Sequence, residues 1–500
     1  MSMPITMLVL GALTIAALPA HAQFAQDNVT SDSNSNTAMG GAALAYVQTS
    51  TGYGNTAAGV GVLFSLTTGN ANTAFGTTAL QSDISGNNNT AVGWGVLFSN
   101  VLGSDNTALG AHALVSSPGS QNTAVGSGAM WQETPTQALG NGNVAVGFLA
   151  GYEVGGVSQD TAIGNQALTR DTAGYNTAVG TYAMNSNTSG QFNTAVGADA
   201  LLQNATGGYN TAVGSGALST NTASFNSGFG TNALIVNSTG GANTALGNSS
   251  LEANTTGSNN TASGSNALYA NQIGNNNTAD GDNALEYTTG SNSTAVGANA
   301  LAAATTGSGN IGLGYQAGMN LTTGSSNIEI GNEGASVDSK VIRIGTEGIQ
   351  KKAFVAGIYG NTAVSGLAVV IGSNGELGTV SSSERFKTAI ASMGANTEKL
   401  GQLRPVTFRY KADQQGTLRY GLIAEEVAKV YPELVVRDNR GRIDGVRYDE
   451  LAPMLLNEMQ KEQATIAAQN RKIASLEQHL ADIQAALSKL QPKDELVAQR

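Results

Sequence analysis

Ser382, Arg385 and Lys387 place a hydroxyl, a guanidinium and an amine within one short stretch, Ser381-Ser382-Ser383-Glu384-Arg385-Phe386-Lys387. A serine hydroxyl is a poor nucleophile until a neighbouring base accepts its proton. Histidine is the usual base, but the only three are His21, His112 and His479, all remote in sequence. Lysine can serve when burial or a nearby cation lowers its pKa, and Arg385 is a candidate for that cation. On an ideal helix a separation of five residues puts Ser382 and Lys387 about 140° apart. Ser382 must therefore lie in the turn before the helix, with Lys387 folding back to it. The competing reading is structural: Ser381-x-x-Glu384 has the form of a capping box.

Other chemistry is scarce. Cysteine is absent, so no thiol nucleophile and no disulfide is available. Asp280-x-Asp282 has the look of a calcium ligand pair, but its loop lacks further carboxylates and reads as a solvated turn. No metal or cofactor is expected.

The elements that must position Ser382 and Lys387 follow from the pattern downstream. Ser381 to Pro405 reads as helical. Val406 to Tyr410 and Leu418 to Ala424 read as strands, Glu425 to Val430 as a short helix, and Leu434 to Arg437 and Gly445 to Tyr448 as further strands. Residues 381–450 thus form a small α+β module. Residues 451–490 continue as a long helix with heptad order. Met459, Ile466, Ile473, Leu480 and Leu487 hold one core position; Leu455, Glu462, Gln469, Leu476, Ile483 and Leu490 hold the other. Five heptads free of Gly and Pro predict a coiled coil, and isoleucine at both positions leans toward three strands. Residues 491–500 read as a disordered tail.

Most of the chain is something else. The tripeptide Asn-Thr-Ala recurs every 16 or 17 residues, with markers including Asn36, Asn55, Asn72, Asn89, Asn176, Asn193, Asn210, Asn243, Asn260 and Asn277. Asp160 and Ser293 hold the same register. Glycine follows four residues after the marker (Gly40, Gly76, Gly93, Gly180, Gly297), and an aliphatic residue usually stands at plus eight (Leu44, Leu63, Leu80, Leu97, Met184, Leu218). A period this short predicts one solenoid coil per repeat, each burying its apolar side on the next. Each coil should hold one strand of four or five residues, its Asn stacked in a ladder. The Ala after Asn-Thr, kept small, implies close approach to another backbone or chain. At strand spacing, some seventeen coils extend on the order of 80 Å. The array is assigned 23–331 and a β-rich neck 332–380, with Ala353 to Tyr359 and Ala368 to Ile371 as strands. Tyr and Trp are too irregularly spaced for a carbohydrate platform.

Charge divides the chain. Arg170 is the only basic residue before Lys340, against 16 acidic ones, while the whole carries −11. No basic stripe exists to neutralise phosphates, so nucleic acid is not an expected partner. Residues 1–22 read as a secretion signal: Met7 to Leu18 is apolar but too short to span a bilayer, and Ala20-His21-Ala22 has the small-x-small cleavage pattern. A buried N-terminal strand is the alternative. No later stretch approaches membrane-spanning length, so an exported location, extracellular or cell-surface, is expected.

Two resemblances sharpen this. The Asn-Thr-Ala-Val-Gly repeats resemble the head repeats of trimeric autotransporter adhesins, in which three β-rolls associate. No segment reads as that family's β-barrel anchor. The module resembles the C-terminal intramolecular chaperone domain of phage endosialidases and tail fibres, a self-cleaving peptidase family. Ser382, Arg385 and Lys387 match its S-D-x-R-x-K, with Ser383 in place of Asp. Gly421, Ile423, Ala424, Glu426 and Val427 match G-x-I-A-Q-E-V, with Glu425 in place of Gln. Pro432-Glu433-Leu434-Val435 and Val446-Arg447-Tyr448 complete the series. The resemblance implies catalytic roles for Ser382 and Lys387 and supporting ones for Arg385 and Glu426.

The expectation is a mainly β, solenoid-based homotrimeric fibre whose C-terminal domain guides assembly and cuts itself once. An uncleaved surface adhesin, with the module as a trimerisation foot, is the alternative. A glycan hydrolase would need a recurring carboxylate pair on the array, and there is none.

Overall fold

A computed structural model of the chain describes residues 29–46, 51–116, 119–132, 140–156, 158–356, 358, 368–372, 374–438 and 440–490. The expected signal at 1–22 and tail at 491–500 lie outside the described residues. The chain divides into two compact units, Met1–Gln350 and Lys351–Arg500.

In the first unit each repeat contributes one short strand. Thr56–Ala58, Thr73–Phe75 and Thr90–Val92 pair in parallel, with Ala57, Ala74 and Ala91 in register. The pattern continues coil upon coil to Ile342–Ile344, beyond residue 331, in a 20-stranded sheet. Thr30–Ser31 joins that sheet antiparallel at its start. The result is a β-solenoid of about 17 turns.

The strands have three residues rather than the expected four or five, because the glycine at plus four ends each one. From Gly40 to Gly314 these glycines hold φ between +110° and +142°, where a side chain is strained. They also supply the close backbone approach expected of the alanines. The alanines themselves point inward and are fully buried (Ala74, Ala91, Ala178, Ala195), packed against the aliphatic column. That column carries an unforeseen cost. Leu63, Leu80, Leu97 and Leu201 sit at φ of 51–52°, a left-handed conformation costing roughly 1–2 kcal/mol per residue. Complete burial of each leucine side chain, at about 1.5–3 kcal/mol, offsets it.

The marker asparagines form the expected ladder inside the solenoid. The backbone N–H groups of Asn55, Asn72 and Asn89 each donate to Oδ1 of the Asn one coil earlier at 2.9 Å. A second buried ladder lies eleven residues on, and the sequence reading missed it. Asn204, Asn221, Asn237, Asn254 and Asn271 each donate Nδ2 to Oδ1 of the preceding member, at 2.6–3.2 Å. These amides satisfy polar groups that water cannot reach.

In the second unit Val369–Ile371 and Leu377–Thr379 form an antiparallel pair. The Ala353 to Tyr359 strand does not form among its described residues; Phe354 is 90 % exposed, with no packing to hold it in a ladder. Nor is Ser381 to Pro405 a continuous helix. It is three single turns, Glu384–Phe386, Gly394–Thr397 and Leu400–Gln402. Positive φ at Ala389 (52°) and Gly394 (49°) breaks it.

The rest of the module follows the expected order. Val406–Phe408 pairs with Arg419–Gly421, Ala424–Val430 is helical, and Val435–Arg437 pairs with Ile443–Val446. Val427, Tyr431, Leu434, Val435 and Met454 form its core. Met454 belongs to the long helix Tyr448–Leu490, whose first turns are thereby packed on the module. Beyond them the heptad face, including Met459, Ile466, Ile473, Leu480 and Leu487, is exposed. Among the described residues no helix is long and apolar enough to cross a membrane.

Candidate self-processing site

Ser383 precedes the Glu384–Phe386 turn in an extended conformation, and its side chain makes no capping bond. The turn closes through the N–H of Phe386 to the Ser383 carbonyl and the N–H of Lys387 to the Glu384 carbonyl, at 3.1 and 3.0 Å. Lys387 then leaves in an extended conformation, φ −117° and ψ 146°. This single tight turn reverses the chain enough for Lys387 Nζ to donate to Ser382 Oγ at 3.3 Å. The geometry is the fold-back that a five-residue spacing requires. Both groups are exposed in the single chain.

Arg385 lies over the ring of the residue that follows it. Its guanidinium carbon lies 4.6 Å from the Phe386 ring centroid, a cation–π contact. Glu426, on the helix Ala424–Val430, is held by Arg404, which the sequence reading overlooked. Arg404 Nη2 and Nε donate to the two carboxylate oxygens at 2.6 and 3.1 Å. That fork holds the Glu426 carboxyl below its ordinary range and raises the Arg404 guanidinium. Glu426 therefore ties its helix to the segment before Val406–Phe408.

A second cluster anchors the long helix. The Thr397 hydroxyl, buried, bonds to the Glu458 carboxylate and to the Asn457 amide, and Lys461 Nζ reaches Glu458 at 2.9 Å. Hydrogen bonds from Thr397 and then Lys461 lower the Glu458 carboxyl from its usual value. Asn457, Glu458 and Lys461, within two adjacent turns of a helix, gave no hint in the sequence of a shared partner some sixty residues earlier.

On the array the structure finds an aromatic ladder. Tyr175, Phe192, Tyr209 and Phe225 stack with centroids 5.1–5.3 Å apart and planes within 20°. It escaped a reading that counted Tyr and Trp without Phe. The rings stack face to face along the array and are each about half exposed or more. Among the described residues no group of three or more His, Asp and Glu could hold a metal ion.

No curated protein and no solved structure matches the chain. A family match exists for the module alone and starts at the candidate nucleophile itself. Residues 382–436 match the family described as chaperone of endosialidase, and they form a domain of that family behind a repeated β-solenoid body.

Proposed function

We propose that the chain is an exported homotrimeric fibre protein whose C-terminal domain aligns three chains and then cuts itself free through Ser382 and Lys387. The coarser part, a chaperone domain behind a fibre-like solenoid, fits a tail-fibre or endosialidase-like protein. The observation that carries the finer part is the 3.3 Å contact between Lys387 Nζ and Ser382 Oγ at the first residue of the matched domain.

The chemistry requires Lys387 in its neutral form. Its amine then takes the Ser382 proton while Oγ attacks an adjacent peptide carbonyl. The C–N bond breaks, the amine fragment leaves with a proton, and water hydrolyses the resulting ester. Exposed lysine ammoniums do not act as bases; desolvation favours the neutral amine. Both groups are exposed in one chain, so assembly is the step that would remove water from them.

Two apolar surfaces favour self-association. One is the bare heptad face of Tyr448–Leu490. The other runs along the solenoid, where the third strand residue points outward: Phe75, Leu109, Ile163, Val196, Phe229, Leu246 and Leu313 are exposed. A surface repeating with each coil is matched over its length only by a partner of equal period, which another copy provides. Slow non-local β-assembly gains from a helix that sets register and raises local concentration.

The test is a denaturing gel with intact mass analysis of assembled protein. Fragments of about 360 and about 118 residues are expected from wild type, and Ser382→Ala should stay whole. A single full-length band from assembled wild type would leave an uncleaved adhesin with a trimerisation foot.

A further inference from the structure

The first buried ladder carries asparagine in most coils and the second in an unbroken run from Asn187 to Asn271, but in one coil both columns carry aspartate. Asp160 occupies the first column and Asp171 the second, at 3 % and 0 % exposure. Asn176 of the next coil touches both: its backbone N–H donates to Asp160 Oδ1 and its Nδ2 to Asp171 Oδ2, each at 2.8 Å. Asp171 Oδ1 accepts from Asn187 Nδ2 at 2.9 Å and from the Ala173 N–H at 3.1 Å. Asp160 Oδ2 is buried with no donor among the described residues. Asn176 thus bridges the two carboxyls, and each acts electrostatically on the other.

The coil before contributes Asn143, whose Oδ1 accepts from the Asp160 N–H, and Val154, which stands in the second column where an amide would otherwise be. The coil after contributes Asn176 and Asn187. Arg170, next to Asp171 in sequence, is exposed and forms none of the salt bridges among the described residues. Asp171 is therefore the acceptor of three N–H groups, while Asp160 has an oxygen with nothing to accept. A metal ion is a poor fit, since amide donors already occupy both Asp171 oxygens. A proton on Asp160, donated to Asp171, satisfies both groups.

We propose that Asp160 and Asp171 share one buried proton, and that losing it opens this coil, making it an alkali-sensitive joint in the array. Two carboxylates in contact without water repel and are poorly solvated, so the second ionisation is paid by local opening. Burial, followed by the Asp171 charge, pushes Asp160 up to about 8, and burial raises Asp171 as well. The folded state thus holds more protons than the unfolded chain above the ordinary carboxylate range. Stability of the coil is full below that range and falls as pH rises through about 8.

Hydrogen exchange read by mass spectrometry on the full chain tests this. After correction for intrinsic rates, peptides from 154–190 should lose roughly tenfold in protection between about pH 7 and about pH 9. Peptides from 243–271, where both columns are asparagine, should not. Asp160→Asn, which restores the residue usual in that column, should abolish the change. Uniform behaviour of all coils in wild type, or the same local opening in Asp160→Asn, would overturn the proposal. An infrared difference spectrum at neutral pH gives a second readout. Wild type should show a protonated-carboxyl band that Asp160→Asn lacks, and its absence would also overturn the proposal.

Discussion

A Cβ placed on Gly197 would sit 2.5 Å from the carbonyl oxygen of Gly214 in the next coil, and a similar closeness recurs along the column from Gly40 to Gly297. Gly197 also holds φ at +137°. The glycine column therefore fixes how tightly coils stack, through both backbone conformation and clearance. Gly197→Ala is expected to destabilise the array by about 1–3 kcal/mol or more, through strain and displacement of the next coil. Gly41→Ala meets nothing within 4 Å and should leave the thermal midpoint nearly unchanged. Calorimetry of the two variants checks this; equal midpoints would refute the stacking argument.

The second ladder makes a distinct prediction. Asn221 accepts from Asn226 Nδ2 and Asn237 Nδ2, and donates to Asn204 Oδ1 and the Ala223 carbonyl. Asn221→Ala strands buried amide groups on both sides, at about 1–3 kcal/mol for each group left unpaired. Denaturant unfolding should show a larger loss for Asn221→Ala than for Thr222→Ala, since Thr222 is exposed.

Asp83 interrupts the same column. Gly86 N–H reaches its Oδ1 at 2.9 Å, while Oδ2 is buried without a donor. Burial pushes its carboxyl up to about 7. A raised acid binds its proton more tightly when folded, so stability is greatest below the ordinary carboxylate range and falls as pH rises through about 7. Asp83→Asn supplies an amide that can donate to the Gly86 carbonyl, as Asn100 does to Gly103 at 3.0 Å. The variant should be more stable than wild type at about pH 8, by up to about 4 kcal/mol, with the advantage vanishing near about pH 4. Thermal melts across that range measure it.

How much of this was legible depended on whether a residue's reason was local or came from another coil. The Asn-Thr-Ala period revealed the solenoid because every coil repeats the same pattern. The function of Gly76 or Gly197 was hidden, because a turn glycine and a glycine pressed on the next backbone read alike. The second ladder was obscured by substitution: Asp83, Val154, Asp171 and Thr288 interrupt it. In the module, strands and the long helix were readable from alternation and heptads. The stretch from Ser381 to Pro405 misled because its helix formers outnumber the two positive-φ residues that break it. Ser382 and Lys387 were legible as a pair, since five residues of chain suffice to bring them together. Arg404 was not, because its partner Glu426 lies 22 residues away.

The final prediction joins the dyad to the long helix. Ser382 and Lys387 are exposed in one chain, and Ile473 and Leu480 on the bare heptad face are exposed too. Ile473→Asp with Leu480→Asp would bury unpaired charge at any helical seam, so assembly should fail in sedimentation. If assembly is what removes water from Lys387, this double variant should also stay uncut, although both catalytic groups are intact. Ser381→Ala, in contrast, should assemble and cut, since the residue at the start of the turn is Ser383, whose side chain makes no capping bond. Lys387→Ala should assemble and stay whole, because it removes the base and leaves the seam alone. A double variant that remains monomeric yet cuts at the wild-type rate would show that the dyad works without assembly. Trimers that persist in the double variant would assign association to the outward apolar column of the solenoid instead.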